Sequence, residues 1–149
     1  MSAPPGLQKA INDAWMAAVT DDSDDLTEHL AYIAGWGARG IHVAVAGWSA
    51  ISLKCLTGGE PGDGFYALEV TDTSTGKTVS VDRLQDPANQ QAVQAVTVVG
   101  NKDFDTLAAI ARAAFGADYG TGLMVSSVKL AATLTRPHMH DHRDGCDGC

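Results

Sequence analysis

The last twelve residues, HMHDHRDGCDGC, hold three of the chain's five histidines and two of its three cysteines. His138, His140 and His142 are spaced by two, so an extended backbone places their imidazoles on one side. Cys146 and Cys149 have the C-x-x-C spacing with which two thiolates grip one ion. Two thiolates and two imidazoles complete a tetrahedral set for zinc, and the same donors also suit copper or nickel. The candidate ligands are therefore His138, His140, His142, Cys146 and Cys149, with zinc the first ion to consider. Two other readings stand beside metal capture. A polar terminus broken by Gly and Pro, without a large apolar anchor, can be a solvated tail with no chemistry. Alternatively, Cys146 and Cys149 can act as a dithiol; a C-terminal C-x-x-C is similar to the mobile tails of some thiol-disulfide oxidoreductases, a likeness of four residues.

Other chemical signals fail on spacing. HMHDH resembles the H-x-H-x-D-H ligand string of metallo-β-lactamase-like hydrolases, but it is one residue short and no strand precedes it. The string STGKT, residues 74–78, has the ending of a phosphate-binding loop. Its first glycine would fall at Thr71, and a strand pattern follows where a helix N-terminus is needed. A calcium loop starting at Asp21 would need Gly at its sixth position and a bidentate Glu at its twelfth, where the chain has Leu26 and Tyr32. His29 belongs to a helix surface beside Glu28, and His42 to an apolar run, where a lone histidine is usually satisfied by a carbonyl. No Ser-His-Asp arrangement, paired carboxylate frame or glycine-rich cofactor loop can be assembled, so nothing argues for an enzyme.

The elements that must position these residues are organised around Ala31 to Leu53, the longest nearly uncharged run. Leu26, Leu30, Ile33, Gly37, Ile41, Ala44, Trp48, Ile51 and Cys55 recur at steps of three or four, the period of a helix face. The opposite side is also small and apolar, which predicts a buried central helix, either continuous or broken between Gly35 and Gly40. Before it, Leu7, Ile11, Ala14, Trp15 and Ala18 predict an amphipathic helix ending near Val19. Ser23 with Asp24 and Asp25 reads as a helix start. After it, TGGEPGDG must turn, and Phe65 to Thr71 with Lys77 to Asp82 alternate apolar and polar as a β-hairpin does, with Gly76 in its loop. Asp86 and Pro87 open a further helix, read as running to Gly100, although Val96 to Val99 could instead be a third strand. An Asp103 cap starts a helix with Phe104, Leu107, Ala108, Ala111 and Phe115 on one face, ending at Gly116. A last helix, Thr121 to Thr135, carries Met124, Val128, Ala131 and Leu134 and is ended by Pro137.

The 149 residues suit one domain, 1–136, with a His/Cys-rich tail at 137–149. The expected fold is α+β: four or five helices around a central apolar helix, with a small antiparallel β-hairpin and a flexible C-terminal tail. A formal net charge of −8 and a pI near 4.8 argue against nucleic acid and anionic membrane as partners. The N-terminus lacks the apolar region of a secretion signal, and the odd cysteine count does not suit a disulfide-stapled domain, which together predict a cytoplasmic location. The leading expectation is a small metal-binding carrier or docking protein. The alternative is an acidic interaction or assembly protein with a protein partner or self-association, of the immunity-inhibitor, phage-structural or oligomer-subunit kind.

Overall fold

The computed structural model describes residues 4–57, 70–71, 78–79, 87–117 and 120–145; for 57, 70–71, 78–79, 87 and 138–145 it gives the backbone course alone. Among these residues the order is α1 (Pro5–Val19), α2 (Ser23–Ala34), α3 (Gly37–Thr57), β1 (Val70–Thr71), β2 (Thr78–Val79), α4 (Pro87–Gly100), α5 (Phe104–Gly116) and α6 (Gly120–Gly145). The architecture is all-helical, which corrects the α+β expectation. A two-residue antiparallel ladder pairs Val70 with Val79 and Thr71 with Thr78. Two paired residues are far too few to form a sheet layer that helices could cover. The remainder of the hairpin reading, including Gly76, lies outside the described residues.

α1 begins with Pro5 in its first turn, where the missing N–H costs nothing, and buries Leu7, Ile11, Ala14 and Ala18. The chain then reverses through Thr20 and Asp21, the latter at φ +57°. α2 is capped by Asp22 and not by Ser23, because the Asp22 carboxylate accepts the Asp25 N–H at 3.1 Å. Asp24 and Asp25 then sit in the positive first turn. Leu26, Leu30 and Ile33 face inward, and α2 packs antiparallel on α1.

The central run is two helices. It breaks at Gly35 and Trp36, and α3 starts on Gly37 at φ +71°, a conformation that residues with a Cβ rarely adopt. Gly40 permits the turn to close: a Cβ there would strike the Ile33 carbonyl and come within 2.6 Å of the Trp36 Cβ. α3 buries Ile41, Ala44, Val45, Trp48 and Leu53 and touches all five other helices. Its one large aromatic, Trp48, is fully buried and donates its indole N–H to the Ile11 carbonyl of α1 at 3.1 Å.

α4 is helical through Val96–Val99, not a third strand; Val96 is buried and the Thr97 hydroxyl donates to the Val93 carbonyl. Tertiary burial overrides the β preference of those side chains. The turn to α5 closes when the Asp103 N–H meets the Val98 carbonyl at 2.8 Å. Asp103 then caps α5, accepting from the Thr106 N–H and hydroxyl, and these bonds hold its carboxyl below the usual range. The buried face of α5 is Leu107, Ala111 and Ala114; the expected members Phe104 and Phe115 are about half exposed. α6 runs parallel to α3: Gly120 lies against Ile41 at one end and Thr135 against Cys55 at the other.

Helix α6 does not stop at Pro137. The proline lies inside it and the backbone stays helical to Gly145. Pro removes one backbone hydrogen bond, but its ring fixes φ near the helical value, so a helix can restart on it as on a first turn.

Gly40 and Gly47 of α3 separate packing from propensity. An Ala in place of a solvent-side helix Gly normally adds up to about 1 kcal/mol. Gly47→Ala should stabilise by that order, since a Cβ there meets only Ile11 Cγ2 at an ordinary 3.7 Å. Gly40→Ala should destabilise by about 1–3 kcal/mol, because the obstructing atoms include backbone. Urea unfolding of both variants beside the wild type checks the opposite signs.

Candidate functional site

The helical course of 137–145 changes the register of the terminal donors. At 3.6 residues per turn, positions 138 and 142 lie on one face, with 141 beside them, while 140 lies nearly opposite and pairs with 144. The extended arrangement that would have aligned His138, His140 and His142 is therefore replaced by a pair, His138 and His142, one turn apart. Cys146 and Cys149 lie outside the described residues. Among the described residues no group of three or more His, Cys, Asp or Glu side chains converges as a metal site.

What does fix the departure of this segment is Arg136. Its Nε donates to the Val19 carbonyl at 3.2 Å and its Nη2 to the Ala18 carbonyl at 2.6 Å. The same Nη2 donates to the Asp21 carboxylate at 2.9 Å. The guanidinium thus occupies the negative end of α1, meeting the Val19 carbonyl and sharing the Ala18 carbonyl with the Asp21 N–H. It pins the last turn before Pro137 to the α1–α2 corner, so residues 138–145 start beside the carboxylates of Asp21 and Asp22. A cavity of about 180 Å³ lies at this corner, lined by Ala17, Asp21, Ser23, Leu26, Lys129 and Arg136 among others. Of its charged groups, Asp22 caps α2, and Arg136 holds α1 and pairs with Asp21. The corner is built as a clamp.

The other reactive side chains are dispersed. His29 is 3.3 Å from Asp25 on the same helix. His42 is half-buried on α3 toward α5; burial first, and the nearby Arg112 charge second, hold its imidazole below the usual pKa. Cys55 is a free, half-buried thiol 3.8 Å from the Thr135 hydroxyl, which itself donates to the Ala131 carbonyl. Ser49, Ser52 and Ser127 are buried and their hydroxyls meet no hydrogen-bond partner among the described residues. They are sealed small residues at helix contacts, shut off from any substrate in solvent. Sequence reasoning passed over Arg136, whose role requires knowing that α1 ends beside it, and no local pattern announces that. It chose Ser23 over Asp22 although the D-x-x-D spacing from Asp22 to Asp25 also fits a cap.

No helix among the described residues is long and apolar enough to cross a membrane.

Two outcomes follow from this geometry. Arg136→Met should cost about 1–2 kcal/mol through the orphaned α1 carbonyls, whereas Asp21→Asn should be close to neutral because that carboxylate is solvent-exposed; thermal or urea unfolding compares them. For His42, the folded pKa lies below the unfolded value, so the unfolded chain takes up more protons as pH falls. Stability should drop as pH goes below about 6.5 and level off beneath the folded pKa. His42→Asn should remove that part of the slope in unfolding curves measured between acid and neutral pH.

No protein-family model, curated protein or solved structure matches this chain.

Proposed function

We propose that the protein is a small metal-binding carrier or docking protein whose donors lie in its C-terminal segment. The observation that supports this reading is the placement of His138 and His142 one helical turn apart on α6, the spacing by which a helix presents two imidazoles to one ion. Cys146 and Cys149 follow four and seven residues after His142 in the sequence and supply the thiolates that favour zinc, with copper and nickel as competitors. In this reading the anchored pair is His138 and His142, and His140 is dispensable. The bundle serves as the body that carries the segment, in the cytoplasm, where thiols stay reduced.

Isothermal titration of zinc, copper and nickel into the full chain tests it. Binding should be tight and should release protons, weakening as pH falls through about 6.5 because imidazoles and thiols must be deprotonated. His138→Ala with His142→Ala should weaken binding by about 10–100-fold or more, and Cys146→Ser with Cys149→Ser similarly, while His140→Ala changes little. Equal binding by wild type and the double variants would sink the proposal.

A further inference from the structure

Helices α1, α2 and α6 enclose between them the cavity of about 180 Å³ at the Arg136 corner. A single water needs about 10–15 Å³ and the pockets of drug-sized ligands begin near about 300 Å³, so the space suits a small organic molecule. Its floor is apolar: Ala17, Ala18 and Leu26 line it and are buried. Its walls are charged, and the two signs are separated along α6.

Helix α6 contributes Lys129, Thr133 and Arg136, which follow one another at steps of four and three on one face, with about 10 Å of rise from first to last. At the Arg136 end the cation is already spent. Arg136 donates to the Val19 and Ala18 carbonyls and pairs with Asp21, so with Asp22 beside them this end carries a surplus of negative charge. The Asp21 side chain is 84% exposed in spite of that pair, which leaves its carboxylate open to a second donor. Two turns away, Lys129 has no ion pair among the described residues. Asp24 and Asp25 do not line the cavity.

We infer that this cavity binds a small aliphatic zwitterion, its carboxylate at Lys129, its ammonium at Asp21 and its methylene body on Ala17, Ala18 and Leu26. Charge selects the class. A simple anion would meet the carboxylates of Asp21 and Asp22, and a simple cation would meet Lys129 and Arg136, whereas a molecule with one charge of each sign at its two ends meets opposites at both. The hollow on the other side of Lys129, bordered by Asn89, Val125 and Leu130, has no carboxylate in its lining and offers an ammonium no counter-charge. This inference does not depend on metal binding.

Titration of δ-aminovalerate into the isotope-labelled full chain, with a chelator present and amide chemical shifts as the readout, is the test. Saturable shifts should appear at Ala17, Ala18, Asp21, Leu26 and Lys129. Valerate, which lacks the ammonium, and pentylamine, which lacks the carboxylate, should each bind about tenfold more weakly or worse, and Lys129→Met and Asp21→Asn should weaken the zwitterion by the same order. Both substituted side chains are exposed, and Lys129→Gln replaces Lys129→Met if the spectrum shows that the latter is unfolded. A lack of saturable shifts, or shifts confined to another part of the bundle, would overturn the inference. So would valerate or pentylamine binding as well as the zwitterion, or variants that bind it like the wild type.

Discussion

All five other helices contact α3, which buries the small Gly40, Ala44, Ser49 and Ser52 beside the larger Ile41, Val45, Trp48 and Leu53. Gly40 lets the α2–α3 corner fold onto the Ile33 carbonyl, and Ala44, Ser49 and Ser52 are buried without standing far from the helix axis. Dispersion falls off steeply with distance, so close backbone approach gives contact energy that larger side chains would have had to supply by interdigitation. Trp48 is the largest side chain buried there, and it shows the condition for admitting a large polar-edged ring to such a core. An indole N–H left without an acceptor there costs about 1–3 kcal/mol, and the Ile11 carbonyl accepts it. That bond also ties α1 to α3 halfway along their lengths, which sets the height at which α1 ends and hence where Arg136 finds it.

The helix ends are held by groups borrowed from elsewhere. Asp22 and Asp103 satisfy the amides at the starts of α2 and α5, and Arg136, more than a hundred residues away from α1, satisfies carbonyls at its close. The effect of the two caps is to put carboxylates at the same end of the bundle, because α2 and α5 both start there. The acidity of the chain is therefore a consequence, in part, of helix-end chemistry concentrated at one pole. At the other pole Arg39 and Arg112 are exposed.

What could be read from the chain in advance follows from which signals are local. The periodicity of α1, the buried central run, the Asp103 cap and the stops at Gly100 and Gly116 all depend on residues within a turn or two, and each is found. The reading of a helix to Gly100 holds as well: Val96–Val99 is β-branched yet helical because α4 buries Ala92, Ala95 and Val96 against the bundle. The errors arise where distant packing decides. Phe104 and Phe115 fit a helical stripe but are turned outward, since the narrower Leu107, Ala111 and Ala114 face permits closer approach to α3. Alternation in Phe65–Thr71 and Lys77–Asp82 suggested a β-hairpin in an α+β fold, but the class is helical, and among the described residues the pairing is that of Val70 with Val79 and Thr71 with Thr78. At Pro137 a rule that generally ends helices was applied where the preceding turn is pinned by Arg136. The donor types at 138, 140, 142, 146 and 149 were plain in the sequence; their register was not, because it depends on that continuation.

Among the described residues, the buried hydroxyls of Ser49, Ser52 and Ser127 meet no hydrogen-bond partner, and burial holds the His42 imidazole below its usual pKa. The helical segment that carries positions 138 and 142 leaves the bundle at the opposite end from His42, where Arg136 closes α1, so its course is set by that clamp and not by the packing of α3.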